Sequence, residues 1–269
     1  LEKVNEIIKK TKGVILTSGP TGSGKTTTLY SMLNRLNNPD VKIITIEDPI
    51  EYHLDGVMQT QVDAESGYTF PVALQSLLRQ NPNIIMVGEV RDDETAEVVI
   101  ESAMTGHLVL STIHSNTASG VIPRLSGLNI EKNLIASAVN CTIGQRLVRR
   151  LCPYCKERAV YSEDIMDRVR SLLDSIPASA KFKQPEKLDF YKGKGCPACN
   201  NLGYKGRIGI YEIIEITDEM QKLVQSAEFS ESEIEQLAAK EGSVLMMQDG
   251  IIKALEGETS LDEVFRVAE

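Results

Sequence analysis

The chain has 269 residues, 42% of them hydrophobic and 25% charged, and its net charge is −9. This composition is that of a globular protein of about two domains, and it excludes a disordered tail, a collagen-like fibre and a coiled-coil rod. The acidic balance and the aromatic content of 5% argue against a protein that wraps nucleic acid. No apolar run approaches the ~18 residues that span a bilayer.

The first residues predict a helix. Leu1, Val4, Ile7 and Ile8 share one helical face within residues 1–12, and Gly13 is expected to end that helix. The chain starts with a leucine, and no charged-then-apolar signal follows it. We therefore read the sequence as a fragment that starts within a longer protein, or as a processed product.

Alternating strands and helices follow. Strands are predicted at 14–18, 41–46, 84–87 and 108–112, and helices at 27–36, 71–79 and 92–104. Residues 53–70 are expected to form loops with short strands. Strands separated by helices indicate parallel βαβ units and an α/β sheet.

The pattern changes near residue 150. A polar, helix-prone stretch runs from about 161 to 185, and residues 207–216 have the composition of a strand. The chain is predicted to be helical after Thr217. Ser260 and Glu263 have the spacing of a capping box, which predicts the start of the last helix.

The strongest motif is Gly19-Pro-Thr-Gly-Ser-Gly-Lys-Thr26, which matches G-x-x-x-x-G-K-T between a predicted strand and a predicted helix. Glycines let backbone N–H groups close around phosphate oxygens, and the helix N-terminus adds partial positive charge. Lys25 is expected to reach the β- and γ-phosphates, and Thr26 to offer its hydroxyl to Mg²⁺. The expected nucleotide-binding residues are Gly19, Pro20, Thr21, Gly22, Ser23, Gly24, Lys25, Thr26 and Thr27.

Carboxylates follow two of the predicted strands. Glu47, Asp48 and Glu51 come after strand 41–46, at the edge of an open α/β sheet where ligands bind. A carboxylate there can polarise an attacking water, and a solvated acidic loop is the alternative. The strand from residue 84 ends in Gly88-Glu89, a Walker B pattern with glycine at the usual aspartate position. Glu89 is therefore expected to serve Mg²⁺ through a water.

Two histidines flank the strand at 108–112. His107 precedes the strand and His114 follows it, so they are expected at opposite ends. Thr112 and His114 lie at the carboxyl end, where they are placed to hydrogen-bond a γ-phosphate. Histidines with purely structural partners are the alternative.

Four of the five cysteines form two Cys-x-x-Cys pairs, Cys152 with Cys155 and Cys196 with Cys199, and Cys141 is left over. Two such knuckles predict a reduced compartment and a closed tetrahedral site for a structural Zn²⁺. A thioredoxin-like redox pair and a zinc ribbon that binds nucleic acid are the alternatives.

In this order, the elements resemble the secretion ATPases of type II secretion and type IV pilus assembly, GspE and PilB. The resemblance rests on Ile-Glu-Asp-Pro-Ile-Glu-Tyr (46–52), Val-Gly-Glu-Val-Arg-Asp (87–92), the histidine segment (105–114), Gln-Arg-Leu-Val-Arg-Arg-Leu-Cys-Pro-Tyr-Cys (145–155) and Gly-Tyr-Lys-Gly-Arg-Ile-Gly-Ile-Tyr-Glu (203–212). It implies a RecA-like P-loop ATPase core with a parallel-rich twisted sheet over 1–150. A small tetracysteine zinc module over 151–216 and a C-terminal helical subdomain over 217–269 follow.

The same resemblance implies hydrolysis of ATP with Mg²⁺. Glu47 is then the water-activating carboxylate, with Glu51 open as the alternative, and Glu89 is the Walker B acid. His107 and His114 are expected near the nucleotide. The tetracysteine insert is a feature of the assembly and export members, whereas the similar pilus-retraction ATPases lack it.

The resemblance further implies a ring hexamer that drives pilin or pseudopilin assembly through an inner-membrane platform protein. Such a motor is cytoplasmic and peripheral at the inner membrane, with no direct nucleic-acid partner. The family carries an N-terminal domain whose arginines complete a neighbour's site, so the isolated chain is expected to hydrolyse ATP slowly. A DNA-uptake or conjugation-type motor is the alternative function.

Overall fold

The computed structural model describes residues 2–180, 182–226 and 228–268. The strands are β1 (Gly13–Ser18), β2 (Ile43–Glu47), β3 (Met58–Gln61), β4 (Ile84–Val90), β5 (Leu108–Ile113), β6 (Val139–Leu151), β7 (Lys156–Ala159), β8 (Phe190–Gly193) and β9 (Tyr204–Glu215). The helices are α1 (Glu2–Ile7), α2 (Lys25–Leu36), α3 (Phe70–Leu78), α4 (Asp93–Met104), α5 (Val121–Gly127), α6 (Lys132–Ala138), α7 (Glu163–Asp174), α8 (Asp218–Gln225), α9 (Glu231–Lys240), α10 (Met246–Leu255) and α11 (Leu261–Ala268).

The chain groups into two compact units. The first contains residues 1–20, 25–143 and 214–235, and the second contains residues 21–24, 144–213 and 236–269. The grouping differs from the three-part division predicted from the sequence, because α8 groups with the first unit while α10 and α11 group with residues 144–213. The division at 150 and 216 stays a proposal.

A parallel sheet organises the first unit. Seven strands of the chain follow the order β3-β2-β4-β5-β1-β6-β9. β2 pairs in parallel with β3 and β4, and β5 pairs in parallel with β4 and β1. Every residue of β1, β2 and β5 is buried, as expected for a parallel sheet covered by helices on both faces. The α/β class predicted from the sequence is confirmed.

The predicted elements of the first unit are present with shifted boundaries. Gly13 begins β1, whereas α1 ends six residues earlier, at Ile7, and Leu1 lies outside the described residues. α2 begins at Lys25, two residues earlier than predicted, because the phosphate loop turns directly into the helix. Helices α5 and α6 and the long strand β6 were not predicted from the sequence.

Apolar packing in the second unit joins segments that are far apart in the sequence. β7 and β8 pair antiparallel. One buried cluster unites α7, β8, α10 and α11; its buried members are Val169, Leu173, Phe190, Ile251, Ala254, Leu261 and Val264. The helix-prone stretch between the cysteine pairs and the last two helices therefore share one core. None of the helices in the described ranges is long and apolar enough to cross a membrane.

A buried carboxylate lies in the first turn of α11. The Ser260 hydroxyl accepts the N–H of Glu263 at 3.3 Å, which confirms the predicted helix start. The Glu263 carboxylate does not cap the helix; it is buried and accepts hydrogen bonds from Arg149 (3.0 and 2.7 Å) and Arg266. Burial by itself raises the pKa of Glu263, but the hydrogen bonds from Arg266 and Arg149 outweigh it and lower the pKa to about 2.

This ion cluster predicts a pH-dependent stability. A depressed carboxylate pKa stabilises the fold above the unfolded pKa of ~4.3, and the contribution is lost as the pH falls towards about 2. We expect Glu263→Gln to lower the free energy of unfolding at pH 7 by up to about 3 kcal/mol and to flatten its decline below pH 5. Urea unfolding at several pH values measures both effects.

Glu163→Gln is the matched control. Glu163 pairs with Arg170 on α7, but its side chain is 75% exposed, and exposed ion pairs contribute about 0–1 kcal/mol. Equal unfolding midpoints for the two variants at pH 7 would contradict the assignment of Glu263 as a stabilising buried charge.

Candidate nucleotide and metal sites

The phosphate loop needs glycine at three positions. Gly19, Gly22 and Gly24 have φ angles of 143°, 77° and 88°, in a region that side chains disfavour. A Cβ on Gly24 would also lie 2.8 Å from Nε2 of Gln145. The hydroxyl of Ser23 is buried and has no hydrogen-bond partner within the described part of the chain. This loop and this hydroxyl supply hydrogen-bond donors, and a phosphate oxygen is an acceptor that suits them.

Backbone carbonyl groups of the phosphate loop hold the side chain of Lys25. Its Nζ donates to the carbonyl oxygens of Gly19 at 2.8 Å and Pro20 at 3.1 Å. Burial lowers the pKa of Lys25, and the negative charge of Glu89 opposes that shift. Lys25 opens α2, whose free N–H groups and dipole favour an anion at this end. The first turn also contains Thr26 and Thr27, where they were predicted.

The end of β4 explains the glycine in the Walker B pattern. A Cβ on Gly88 would lie 3.3 Å from the carbonyl oxygen of Ile46 and 3.5 Å from the ring of Phe70. A larger side chain would press on β2, so the acid stands one residue later. The pairing of β4 with β5 shifts by one residue between Val87 and Val90. Such bulges redirect side chains at sheet ends, and this one lies at Glu89.

Glu89 receives two cationic or polar partners. Nη2 of Arg91 lies 2.6 Å from one carboxylate oxygen, and Nε2 of His114 lies 3.2 Å from the other. Glu89 is also close enough to Lys25 to affect its pKa. The structure therefore brings three predicted residues, Lys25, Glu89 and His114, to one edge of the parallel sheet.

Glu47 is buried and held on all sides. Its Oε1 accepts hydrogen bonds from Thr45 at 2.5 Å and from Gln59 at 3.0 Å, and its Oε2 accepts one from the hydroxyl of Tyr30. It is only 2% exposed. Burial, together with the hydrogen bond to Glu47 and its charge, raises the pKa of Tyr30. Its burial and three hydrogen bonds favour a structural role for Glu47, and its assignment as the residue that activates water stays a prediction.

Two further predicted residues have protein partners and a third is exposed, and their contacts with a nucleotide stay predictions. The ring of His107 contacts the carbonyl oxygen of Ser102 at 2.9 Å, at the amino end of β5 and away from the phosphate loop. The hydroxyl of Thr112 donates to the carbonyl oxygen of Gly88 at 2.7 Å, so it braces the bulge. Glu51 is exposed in the loop after β2.

The four paired cysteines converge in the second unit. Their sulfur atoms all lie within 4.8 Å of one another, and Cys152–Cys196, Cys155–Cys199 and Cys196–Cys199 are each separated by 3.8 Å. A tetrahedron with Zn–S bonds of ~2.3 Å has edges of ~3.8 Å, so the sulfur positions fit Zn²⁺. All four are free thiols, and so is the buried Cys141.

Backbone N–H groups support the sulfur cluster. The N–H groups of Cys196 and Gly203 donate to Sγ of Cys199 at 3.3 and 3.2 Å. Burial opposes ionisation, but these hydrogen bonds help to lower the pKa of Cys199 to about 6, which suits a thiolate ligand. A Cβ on Gly193 would lie 2.1 Å from the carbonyl oxygen of Gly203, so glycine is needed where the backbone segments before and after the second cysteine pair approach each other.

The chain is similar to known proteins over nearly its whole length. The family model described as type II/IV secretion system protein matches residues 1–266. The chain belongs to this family. It is 44% identical over 266 residues to the type II secretion system ATPase E of Vibrio cholerae, covering 99% of this chain and 50% of the relative. It is 42% identical over 263 residues to the type IV pilus assembly ATPase PilB of Thermus thermophilus, covering 98% of this chain and 28% of that protein.

A solved structure supports the fold of this secretion-family chain. The pilus retraction motor PilT with bound ADP superimposes with a TM-score of 0.70 and 26% identity, covering 99% of this chain and 62% of PilT. The chain spans about half the length of the type II secretion relatives that it matches. The family resemblance and the P-loop α/β fold expected from the sequence are confirmed.

Sequence reasoning missed several residues that organise the site of this family member. Tyr30, Gln59 and Arg91 were not predicted to contact the acidic residues, although they bind Glu47 or Glu89. Arg91 lies two residues after Glu89, so its proximity was open to prediction. Tyr30 and Gln59 lie 17 and 12 residues from Glu47, and only the packing of α2 and β3 against β2 reveals them.

The sulfur geometry predicts one zinc per chain. We expect Cys155→Ser to lower the zinc content and the thermal midpoint, because a structural zinc contributes about 10–16 kcal/mol to folding in small metal-dependent domains. Elemental analysis and calorimetry of freshly purified protein measure both. Cys141→Ala is the matched control and should keep its zinc, since Cys141 lies outside the cluster. A wild-type zinc ratio near zero, or a disulfide within the cluster, would contradict the prediction.

Proposed function

We propose that this chain contains the MgATP-hydrolysing centre of a motor ATPase that serves type II secretion or type IV pilus assembly. One observation carries the proposal: Lys25, Glu89 and His114 meet at the carboxyl edge of a parallel sheet, next to a complete phosphate-loop motif. The names of the relatives, a type II secretion ATPase and a pilus assembly ATPase, support the biological role.

Binding of the phosphates would use the loop and Lys25. The lysine now donates to two neutral carbonyl oxygens, and charge-assisted hydrogen bonds to phosphate are about twice as strong. The hydroxyl of Thr26 and the carboxylate of Glu89 are the groups that would hold Mg²⁺, directly or through water. When bound, Mg²⁺ supplies Lewis-acid stabilisation of charge on the transferred phosphoryl group.

Glu89 is our candidate for orienting the attacking water. Its side chain is 14% exposed, whereas Glu47 is only 2% exposed. Arg91 and His114 each contact one oxygen of the Glu89 carboxylate and hold it in one orientation. Glu51 remains the second candidate, because it is exposed in the loop after β2.

The larger assembly follows from the family resemblance. We propose a homohexameric ring that is cytoplasmic and is recruited to the inner membrane by a platform protein of the pilus or secretion machine. A neighbouring subunit would supply arginine residues to the phosphate site, since such a cation is worth ~10³–10⁵ in rate in related chemistry. The zinc site would be structural, because four thiolates leave no position for a catalytic water.

The phosphate-loop assignment predicts the effect of Lys25→Ala. We expect MgATP affinity to fall at least about tenfold, because hydrogen bonds to charged groups contribute about 1.5–3 kcal/mol, and we expect turnover to be lost. Titration with a fluorescent nucleotide measures the affinity. Lys9→Ala, an exposed lysine on the first segment of the chain, is the matched control and should bind normally. Normal binding and hydrolysis by Lys25→Ala would overturn the proposal.

A second experiment should distinguish the roles of Glu47 and Glu89. Glu89→Gln should keep nucleotide binding and lose ~10²–10⁴ in hydrolysis rate, the usual contribution of a general base. Glu47→Gln should mainly reduce stability, by about 1–3 kcal/mol, because one of its three hydrogen-bond donors loses an acceptor. Single-turnover hydrolysis and urea unfolding report these effects. A larger hydrolysis defect in Glu47→Gln would return the base role to Glu47.

The nucleic-acid motor is distinguished by its response to DNA. Such a motor is stimulated by DNA with a steep salt dependence. The net charge of −9 disfavours this alternative. Stimulation of turnover by DNA at low salt would favour the conjugation or DNA-uptake reading over secretion.

A further inference from the structure

A carboxylate on helix α9 binds the loop that follows His114. One oxygen of Glu231 accepts hydrogen bonds from the hydroxyl of Thr117 and from the hydroxyl of Ser119 at 3.3 Å. These residues are 114 and 112 positions apart in the sequence, and all lie in the first unit. Ser119 is 1% exposed, so the carboxylate reaches a buried part of the loop.

The same loop is tied to the phosphate site on its other side. The hydroxyl of Ser18, the last residue of β1, donates to the carbonyl oxygen of Thr117 at 3.0 Å. Ser18 directly precedes Gly19 of the phosphate loop. At the start of the loop, His114 contacts Glu89 at 3.2 Å. Two separate contacts therefore link this loop to the phosphate site.

The loop leaves no room for a side chain at Gly120, beside the Glu231 carboxylate. A Cβ on Gly120 would lie 2.6 Å from the hydroxyl oxygen of Ser115, 2.9 Å from that of Thr117 and 3.2 Å from the Glu231 oxygen. The N–H of Gly120 donates to the Thr117 hydroxyl at 3.0 Å. Because these polar groups are in close contact, the loop cannot shift without moving Glu231 or breaking its hydrogen bonds.

Glu231 is not needed to cap its own helix. Ser230 and Glu233 do this, since the Glu233 carboxylate accepts the N–H of Ser230 at 2.9 Å and the Ser230 hydroxyl accepts the N–H of Glu233 at 3.2 Å. The helix then continues to Lys240, and its residues from 236 onward belong to the second unit. Glu231 thus connects the loop beside the phosphate-loop motif to a helix whose later residues belong to the second unit.

We propose that Glu231 is a positioning residue that transmits the nucleotide state from the loop after His114 to helix α9. The inference deepens the proposed function and rests on it. In this role Glu231 touches no substrate. It holds Thr117 and Ser119, and through them His114, in the arrangement that hydrolysis requires, and it passes the rearrangement after hydrolysis to α9.

The test compares hydrogen exchange and kinetics of the 269-residue chain. Backbone exchange across residues 231–240 is measured with ADP and with a non-hydrolysable ATP analogue, each with Mg²⁺. We expect the wild type to differ between the two nucleotides and Glu231→Ala to lose that difference. We also expect kcat to fall roughly tenfold at nearly constant KM, the loss expected for one hydrogen bond to a charged group.

Two further variants separate positioning from simple destabilisation. Glu231→Gln keeps an acceptor oxygen for the two hydroxyls and should retain kcat within about threefold and the exchange difference. Glu235→Gln, on the same helix but outside the cluster, should behave as the wild type. Thr117→Val removes the donor from the loop side and should reproduce Glu231→Ala, which keeps the test decisive if that variant folds poorly.

The outcomes are distinguishable. Wild-type protein that binds no nucleotide would contradict the proposed function before any variant is compared. Wild-type protein that binds and hydrolyses ATP without any change in exchange across α9 would overturn the inference alone. Wild-type kcat together with an intact exchange difference in both Glu231→Ala and Thr117→Val would also overturn it.

Discussion

The parallel pairing of β1, β4 and β5 is the constraint on which the rest of the structure depends. In parallel strands the carboxyl ends meet at one edge, and the register Ser18↔Ile113 sets that edge for β1 and β5. Lys25 follows β1, Glu89 ends β4 and His114 follows β5, so three groups from separate parts of the chain meet there. The one-residue bulge after Val87 completes the arrangement by placing Glu89 at the sheet's end.

Two glutamates with similar positions in the sequence pattern differ in burial, and therefore in the roles that they suit. A carboxylate that is 2% exposed is costly unless it is hydrogen-bonded, and Glu47 has three donors. Those donors come from β2, β3 and α2, so the residue joins the sheet to the helix that starts with Lys25. Glu89 keeps a partly open side chain between Arg91 and His114. The first is therefore suited to structural support and the second to chemistry.

The second unit depends on an ion-pair cluster and a cysteine cluster as well as on its apolar core. Four thiols lie at tetrahedral spacing in one cluster. In the other, the buried Glu263 joins α11 to the strand residue Arg149. Such clusters are intolerant of single deletions, because each leaves an unpaired charge or an incomplete metal shell. Their members lie up to 114 residues apart. Residues 144–213 and the last two helices are thereby parts of the same structure.

The sequence by itself determined the α/β class and the phosphate-loop motif, and it predicted the Walker B acid and the grouping of four cysteines, because each depends on neighbouring residues with fixed spacing. Only the tertiary structure decided the roles of residues whose partners are distant. It placed His107 at the amino end of β5, away from the phosphate loop, and it surrounded Glu47 with donors from other elements. It also brought Glu231 to Thr117 across 114 residues. Local spacing contains no information on such contacts, since they arise only when the strands and helices pack.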